Sequence, residues 1–269
     1  MPRPTEQDTP RRGAPPEVDA RSALGKALAI LDAFSAAEPD LSIRDIAERS
    51  GVARSTTHRL VGELVAWGAL ERGPRGVRPG PRLFELGSMA PTPRVLREAA
   101  SPYLHTLREA SRLTVNLARR EGDAVVYLEK IGARDLEVPH SRLGGRGLLH
   151  ATGLGKAILA YSPPHVREEY LAGPLPAVTP ATLTDPGALR AEFVRIRRDG
   201  VAFDVEESLS GLFCVAAPVR DASGQALAAV SVTGATALSQ AERFGPVVAA
   251  TARAIERHLR EGDGRAPQS

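Results

Sequence analysis

A chain of 269 residues, 42% apolar and 25% charged, has the balance of a soluble globular protein and the length of two domains. No run reaches 18 apolar residues, which excludes a conventional membrane-spanning helix, and the opening MPRPTEQDTPRRGAPP lacks the apolar core of a secretory signal. The net charge of +3 is too small to mark a partner, and a single cysteine, Cys214, excludes an intramolecular disulfide and any zinc site built on cysteine pairs; the cytoplasm is the expected compartment.

Residues 1–20 are Pro-rich, polar and aperiodic, and read as a disordered arm; Arg3, Arg11 and Arg12 read as solvated, with contact to DNA as the alternative. Ser22 to Ala37 reads as a helix with Leu24, Ala27, Leu28, Leu31 and Phe34 on one face, ended by Pro39. LSIRDIAERS is a second helix. Ser42 and Asp45 come close to a capping box, Ile43, Ile46 and Ala47 face inward, and Gly51 ends it. A third helix runs from about Arg54 to Trp67, with Leu60, Val61 and Leu64 inward and Gly68 as its stop. Two short segments flank Gly73-Pro74-Arg75-Gly76 as a hairpin, the second weakened by Pro79. A further amphipathic helix spans Arg94 to Arg112, interrupted near Pro102, and leads into a new domain.

The second half changes character. LTVNLARR and AVVYLEKI form a hairpin across Glu121-Gly122-Asp123. Thr152–Tyr161, Pro163–Ala172 and Pro186–Asp199 read as helices. LFCVAAPVR and ALAAVSVTG form a second hairpin across DASGQ, and Ser239 to about Glu261 is a long helix with Ser239 as its cap. Antiparallel hairpins with helices on their faces give an α+β domain.

The strongest constellation lies in the first half. Between Leu41 and Arg82 eight arginines stand against four acids, while lysine occurs only at 26, 130 and 156. The arginine fork suits phosphate and guanine, although GC-rich codons give the same bias. Ala47 is small where two helices cross, Gly51 allows the tight turn, and Leu60 anchors the next helix from inside. The outer face then carries Arg54, Ser55, Thr56, His58 and Arg59, with Arg44 on the preceding helix, all suited to base edges and phosphates. The hairpin adds Arg72, Arg75 and Arg78, as a wing would. A three-helix interaction module would share the helices but has no need of the basic hairpin.

These residues resemble the IclR family of bacterial transcription regulators. The likeness runs from GKALAIL at Gly25 through LSIRDIAERSGVARSTTHRLVGELVAWGALER to PRLFELG. It continues through Thr114-Val115-Asn116-Leu117, LLHATGLGKAILA, Leu183-Thr184-Asp185-Pro186 and GVAFDVEESLSGLFCVAAPVRDASG. The resemblance implies a disordered arm over 1–20 and a winged helix-turn-helix over 21–82. A linker helix over 83–100, a GAF-like effector-binding domain over 101–262 and a tail over 263–269 follow. Members repress or activate genes in response to a small metabolite, often a carboxylate or aromatic acid, and are usually dimers or tetramers. The implied partners are double-stranded operator DNA, an effector and a second copy of the chain, with no membrane and no cofactor. Two departures stand out: Thr57 replaces an aliphatic residue, and the wing is about two residues short, with Pro74 and Pro79 inside it.

The second half also carries the residues of a candidate pocket. Gly144-Gly145-Arg146-Gly147 reads as a flexible loop before a helix whose Gly153 and Gly155 keep its start clear, and helix N-termini attract anions. Strand alternation puts Ser231 and Thr233 on one face. The resemblance gives an effector contact to Gly153, Leu154, Asp204, Cys214, Ser231 and Thr233, while plain sheet packing accounts for the same residue types.

Three sharper readings fail on spacing. GLGK at 153–156 lacks the glycine at 150 and the Ser/Thr at 157 of a phosphate-binding loop. Cys214, His150 and Asp204 have the types of a hydrolase triad, but the cysteine sits mid-strand in an apolar run. His140 and His150 have no clustered third ligand, so neither catalysis nor a metal is expected. The alternative left open is a small-molecule sensor or interaction protein without sequence-specific DNA binding.

Overall fold

The computed structural model describes residues 21–35, 37–132, 138, 141–235 and 241–263. The arm over 1–20, His140, Ser239 as a helix cap and the tail from 264 onward lie outside the described residues. Contacts divide the chain into two units, one reaching Arg94 and one running from Val95.

In the first unit α1 spans Ala23–Asp32, α2 Ile43–Ser50 and α3 Arg54–Trp67. Each start and stop has a local cause. Ser22 accepts from the Gly25 N–H at 2.8 Å, and Ser42 and Asp45 form a full capping box. The Ser42 bonds to the Asp45 carboxylate hold its pKa below the ordinary value. Gly51 turns the chain between α2 and α3 at φ +67°, a conformation that a side chain strains. Ile30, Leu41, Ile46, Leu60, Val61, Leu70 and Val77 make the core. The helix expected over Ser22 to Ala37 ends earlier, at Asp32, and only part of its expected face is buried. Ile30 is fully buried, whereas Leu24 is 65% and Leu28 37% exposed. The face anchored on Ile30 meets α2 and α3, with Leu31 and Phe34 packed against it and Leu24 and Leu28 left outside.

Strands β1 (Leu70–Arg72) and β2 (Val77–Pro79) form the wing. Pro79 ends β2 opposite Leu70, where its missing N–H removes only an end bond. The sequence did not suggest that Leu41 bridges to Val77, with N–H···O bonds of 2.9 Å in both directions. The segment expected as one linker helix over 83–100 holds two helices, α4 (Pro81–Ser88) and the start of α5 (Pro91–Ser111). Pro91 disfavours helix at the residue before it, and α5 begins there. Nor does Pro102 interrupt α5. It lies on the exposed side, while Ala99, Ala100, Leu104 and Leu107 bury the opposite face and hold the helix together.

The second unit is built on an antiparallel sheet in the order β5-β4-β3-β8-β7-β6. Its strands are β3 (Thr114–Glu121), β4 (Ala124–Ile131), β5 (Arg146–Leu148), β6 (Ala202–Val205), β7 (Phe213–Arg220) and β8 (Ala226–Gly234). The glycine run expected as a loop is partly β5: Arg146 pairs with Val126 and Leu148 with Ala124. One face packs against α5 and α9 (Gly245–Asp263) through Val115, Leu117, Val215, Val230 and Val232. The other meets α6 (Gly153–Ala160), α7 (Pro164–Ala172) and α8 (Pro186–Asp199) through Ala118, Tyr127, Cys214, Ala216 and Ala229. Alternation therefore turns Asn116, Ser231 and Thr233 toward α6. A short 3-10 turn, Glu242–Phe244, precedes α9.

Candidate functional site

The first surface is the outside of the helix-turn-helix. Arg44, Arg54, Ser55, His58 and Arg59 are exposed and Thr56 is half-buried. Ala53, at the N-cap of α3, supplies no side-chain cap, so the first turn of this helix keeps its donors for another partner. Arg59 reaches Glu63 at 2.5 Å and Arg78 reaches Glu71 at 2.6 Å. Both pairs are solvent-exposed and contribute little, so a phosphate can displace either acid. Thr57, the departure from an aliphatic residue, is fully buried. Its hydroxyl lies 3.0 Å from the Val52 carbonyl and 3.2 Å from that of Ala53, which satisfies it locally.

Arg72, Arg75 and Arg78 are exposed on the wing. Asp40, which sequence reading passed over, holds the tip by accepting the Arg75 N–H at 3.1 Å. A Cβ on Gly73 would lie 2.5 Å from that carboxylate, and one on Gly76 would lie 2.2 Å from the Leu41 carbonyl. The short wing is thus folded, paired and anchored on both sides.

The second surface is a narrow cavity under α6, with about 10 Å³ of free space in this structure. The sheet register builds it: Asp204 pairs with Cys214, Cys214 with Thr233, and one step along Ser231 pairs with Asn116. Of the expected residues Leu154, Asp204, Cys214 and Thr233 line the cavity. Gly153 stands behind Cys214, where a Cβ would lie 3.1 Å from Sγ, and Ser231 is held by Asn116. Tyr127, Ser141, Thr152, Ser208 and Leu212 line it too, and sequence reasoning missed them. The nearest signal in the sequence was Asn116, a polar residue within an apolar strand.

Asn116 organises the floor. Ser141 Oγ donates to Asn116 Oδ1 at 2.8 Å, which fixes the amide orientation. The amide nitrogen then donates to Ser231 Oγ at 3.4 Å and Thr233 Oγ1 at 3.3 Å. Both hydroxyls act as acceptors there, so their own hydrogens turn elsewhere. Thr152 caps α6 by accepting the Gly155 N–H at 3.1 Å, so the helix start is only partly open to an anion. Asp204 is acceptor-only and already occupied by the N–H groups of Glu207 and Ser208 and by the Ser208 hydroxyl. Burial raises its carboxyl above the ordinary value against the pull of Ser208 and Lys156.

Burial, with the Asp204 charge beside it, pushes the Cys214 thiol up to about 12, the reverse of what a nucleophile needs. Both ring nitrogens of His150 are engaged elsewhere, with Tyr170 Oη at 2.7 Å and the Pro176 carbonyl at 3.0 Å. Lys156, from the loop-like GLGK, is buried against Glu207 at 2.5 Å. Among the described residues no group of His, Cys, Asp or Glu is placed to hold a metal, and no helix is long and apolar enough to cross a membrane.

Comparison with known proteins agrees. Residues 23–74 match the IclR helix-turn-helix domain and residues 92–257 the bacterial transcriptional regulator IclR C-terminal domain. The chain is 39% identical over 217 residues to the HTH-type transcriptional regulator BhcR of Paracoccus denitrificans, covering 80% of this chain and 77% of that one. It is 33% identical over 214 residues to the regulator XynR of Escherichia coli, covering 78% and 85%. An IclR homologue of Microbacterium hydrocarbonoxydans, solved in complex with 4-hydroxybenzoate, superposes at a TM-score of 0.79. That homologue shares 32% identity, over 89% of this chain and 100% of its own. A helix-turn-helix that binds DNA, followed by an α+β domain that binds an effector, describes these relatives and this molecule alike: the chain belongs to the IclR family of transcriptional regulators and is not an enzyme.

Proposed function

We propose that α3 enters the major groove of an operator with Arg54, Ser55, Thr56, His58 and Arg59, that Arg44 contacts phosphate, and that Arg72, Arg75 and Arg78 of the wing grip the adjacent backbone. The exposed polar face of α3 beside an anchored basic wing supports this reading. Residues 21–82 would form the DNA-binding domain, 83–100 the linker and 101–262 the effector domain. The protein works as a homodimer or homotetramer in the cytoplasm, where its DNA is. Leu24 and Phe84, 65% and 74% exposed, and Met89, also 65% exposed, offer apolar surface for a second copy. Two recognition helices would then read half-sites about 34 Å apart or a multiple of it.

The effector is a small metabolite carboxylate or aromatic acid, seated against Gly153, Leu154, Asp204, Cys214, Ser231 and Thr233. One observation carries the ligand class. Asn116 takes the acceptor side of the Ser231 and Thr233 hydroxyls, so Thr233, which lines the cavity, keeps an O–H donor that it now shares with the Cys214 sulfur and that a carboxylate can take instead. The 4-hydroxybenzoate bound to the Microbacterium homologue is of that class. Calorimetry with a panel of small acids, 4-hydroxybenzoate included, tests it. One acid should bind and shift operator affinity, and Asn116→Ala should weaken it about tenfold, the worth of roughly one hydrogen bond. Neutral ligands binding as well as acids would refute the class.

A further inference from the structure

Behind the effector pocket lies a buried charge group that operator binding does not use. Lys156 on α6 is 1% exposed, and its ammonium faces Glu207 Oε1 at 2.5 Å and Glu192 Oε1 at 3.4 Å. Glu192, on α8, is also held by two bonds from Arg195. Asp204, on β6, adds a third carboxylate. Five ionised groups would leave this interior with two cations against three anions. Glu207 is the least satisfied of them: its Oε2 is buried and has no hydrogen-bond partner among the described residues. A carboxylate oxygen in that position costs free energy unless it gains a proton or meets water.

The same residue belongs to the segment that covers the pocket. Glu207 is the second residue of the turn from β6 to β7, in which Ser208 and Leu212 line the cavity. Its N–H donates to Asp204 Oδ1 at 2.8 Å, and its carbonyl accepts from Thr182 Oγ1 at 2.7 Å. Glu206 sits at φ +60°, where a residue with a side chain is strained. Contacts, rather than backbone preference, therefore hold the segment shut.

We propose that the 206–212 segment closes over the effector pocket together with one proton, carried by Glu207 in the carboxylate group around Lys156, so that an acidic effector binds more tightly as the pH falls from neutrality. This deepens the effector reading and rests on it for its consequence, though not for its test. The charges around Glu207 agree with it. Burial, outweighing Lys156 and assisted by Asp204 and Glu192, pushes the Glu207 carboxyl up to about 7. Burial also pushes Glu192 upward, but Arg195 and Lys156 outweigh it and hold that carboxyl below its ordinary value, so Glu207 is the proton acceptor. A carboxyl raised in the closed state favours closure at low pH. That stabilisation is fully present below the ordinary carboxylate range and is lost as pH rises through about 7. An anion arriving beside Asp204 would draw the proton on.

The test needs no effector. Amide hydrogen exchange at Glu206, Glu207, Ser208 and Leu212 in the full chain, corrected for intrinsic rates, reports opening of the segment. Opening should increase at least tenfold from pH 5 to pH 7, approaching tenfold per unit where one proton is fully linked. Glu207→Gln should remove most of that slope. A flat profile in the wild type, or an unchanged slope in Glu207→Gln, overturns the proposal. Should that variant not fold, the carbon-13 shift of the Glu207 carboxyl in the wild type decides: a midpoint near 7 supports the proposal, and one in the ordinary carboxylate range overturns it. Either failure leaves the pocket reading standing, since no ligand is present.

Discussion

Gly76→Ala isolates the wing. A Cβ there would lie 2.2 Å from the Leu41 carbonyl oxygen, 2.8 Å from its carbon and 2.9 Å from Ser42 Cα. All three are backbone atoms, so no side-chain rotation relieves the overlap, and β2 must part from Leu41. The loss includes the two Leu41–Val77 hydrogen bonds, both 2.9 Å. At about 1 kcal/mol net each they contribute roughly 2 kcal/mol, and partial exposure of the buried Val77 adds about 1 kcal/mol more. The expected result is a detached wing on an otherwise folded helix-turn-helix. Hydrogen exchange at Leu41 and Val77 should lose its protection, and operator affinity should fall about tenfold or more. Gly62→Ala is the control. Its Cβ meets nothing within 4 Å, so it should stabilise α3 by up to about 1 kcal/mol. Unchanged protection at Leu41 and Val77 together with wild-type operator binding in Gly76→Ala would refute the anchored-wing argument.

Three further outcomes are expected. Arg59→Ala should weaken specific DNA binding by about 1–3 kcal/mol, as for a lost base contact, and anisotropy on operator DNA measures it; unchanged affinity would remove Arg59 from the recognition surface. Gly155→Ala puts a Cβ 2.3 Å from the Leu149 carbonyl, against backbone, and should destabilise the effector domain by about 3 kcal/mol or more, read by urea unfolding; a wild-type midpoint would show that α6 can retreat. Cys214, its thiol raised to about 12, should stay unlabelled by iodoacetamide in the native protein at pH 8 and react only after unfolding; rapid native labelling would contradict its burial.

The α+β architecture and the helix-turn-helix were legible because each signal was local. Ser42, Asp45 and Gly51 bracket α2 by capping chemistry alone, and α3 runs from Arg54 to Trp67 as expected. What escaped depended on distant partners. The buried face of α1 was right at Leu31 and Phe34 but wrong at Leu24 and Leu28, because hydrophobic spacing does not say how much of a stripe meets its own core. The bridge from Leu41 to Val77 joins segments 36 residues apart in a chain without an obvious third strand. Pro102 was read as a helix breaker, yet the burial of Leu104 and Leu107 overrides it. At the pocket, Asp204, Cys214 and Thr233 were anticipated, but Asn116, Ser141 and Tyr127 were not. Only the register of β3 against β8 brings Asn116 opposite Ser231.

The central claim is that this surface reads DNA sequence, and fluorescence anisotropy tests it most directly. The full chain is titrated against DNA from upstream of its own gene and against scrambled DNA of equal length, at one physiological salt concentration. The account predicts a preference on the order of a thousandfold, reduced by Arg59→Ala. Equal, weak binding to both DNAs would contradict it.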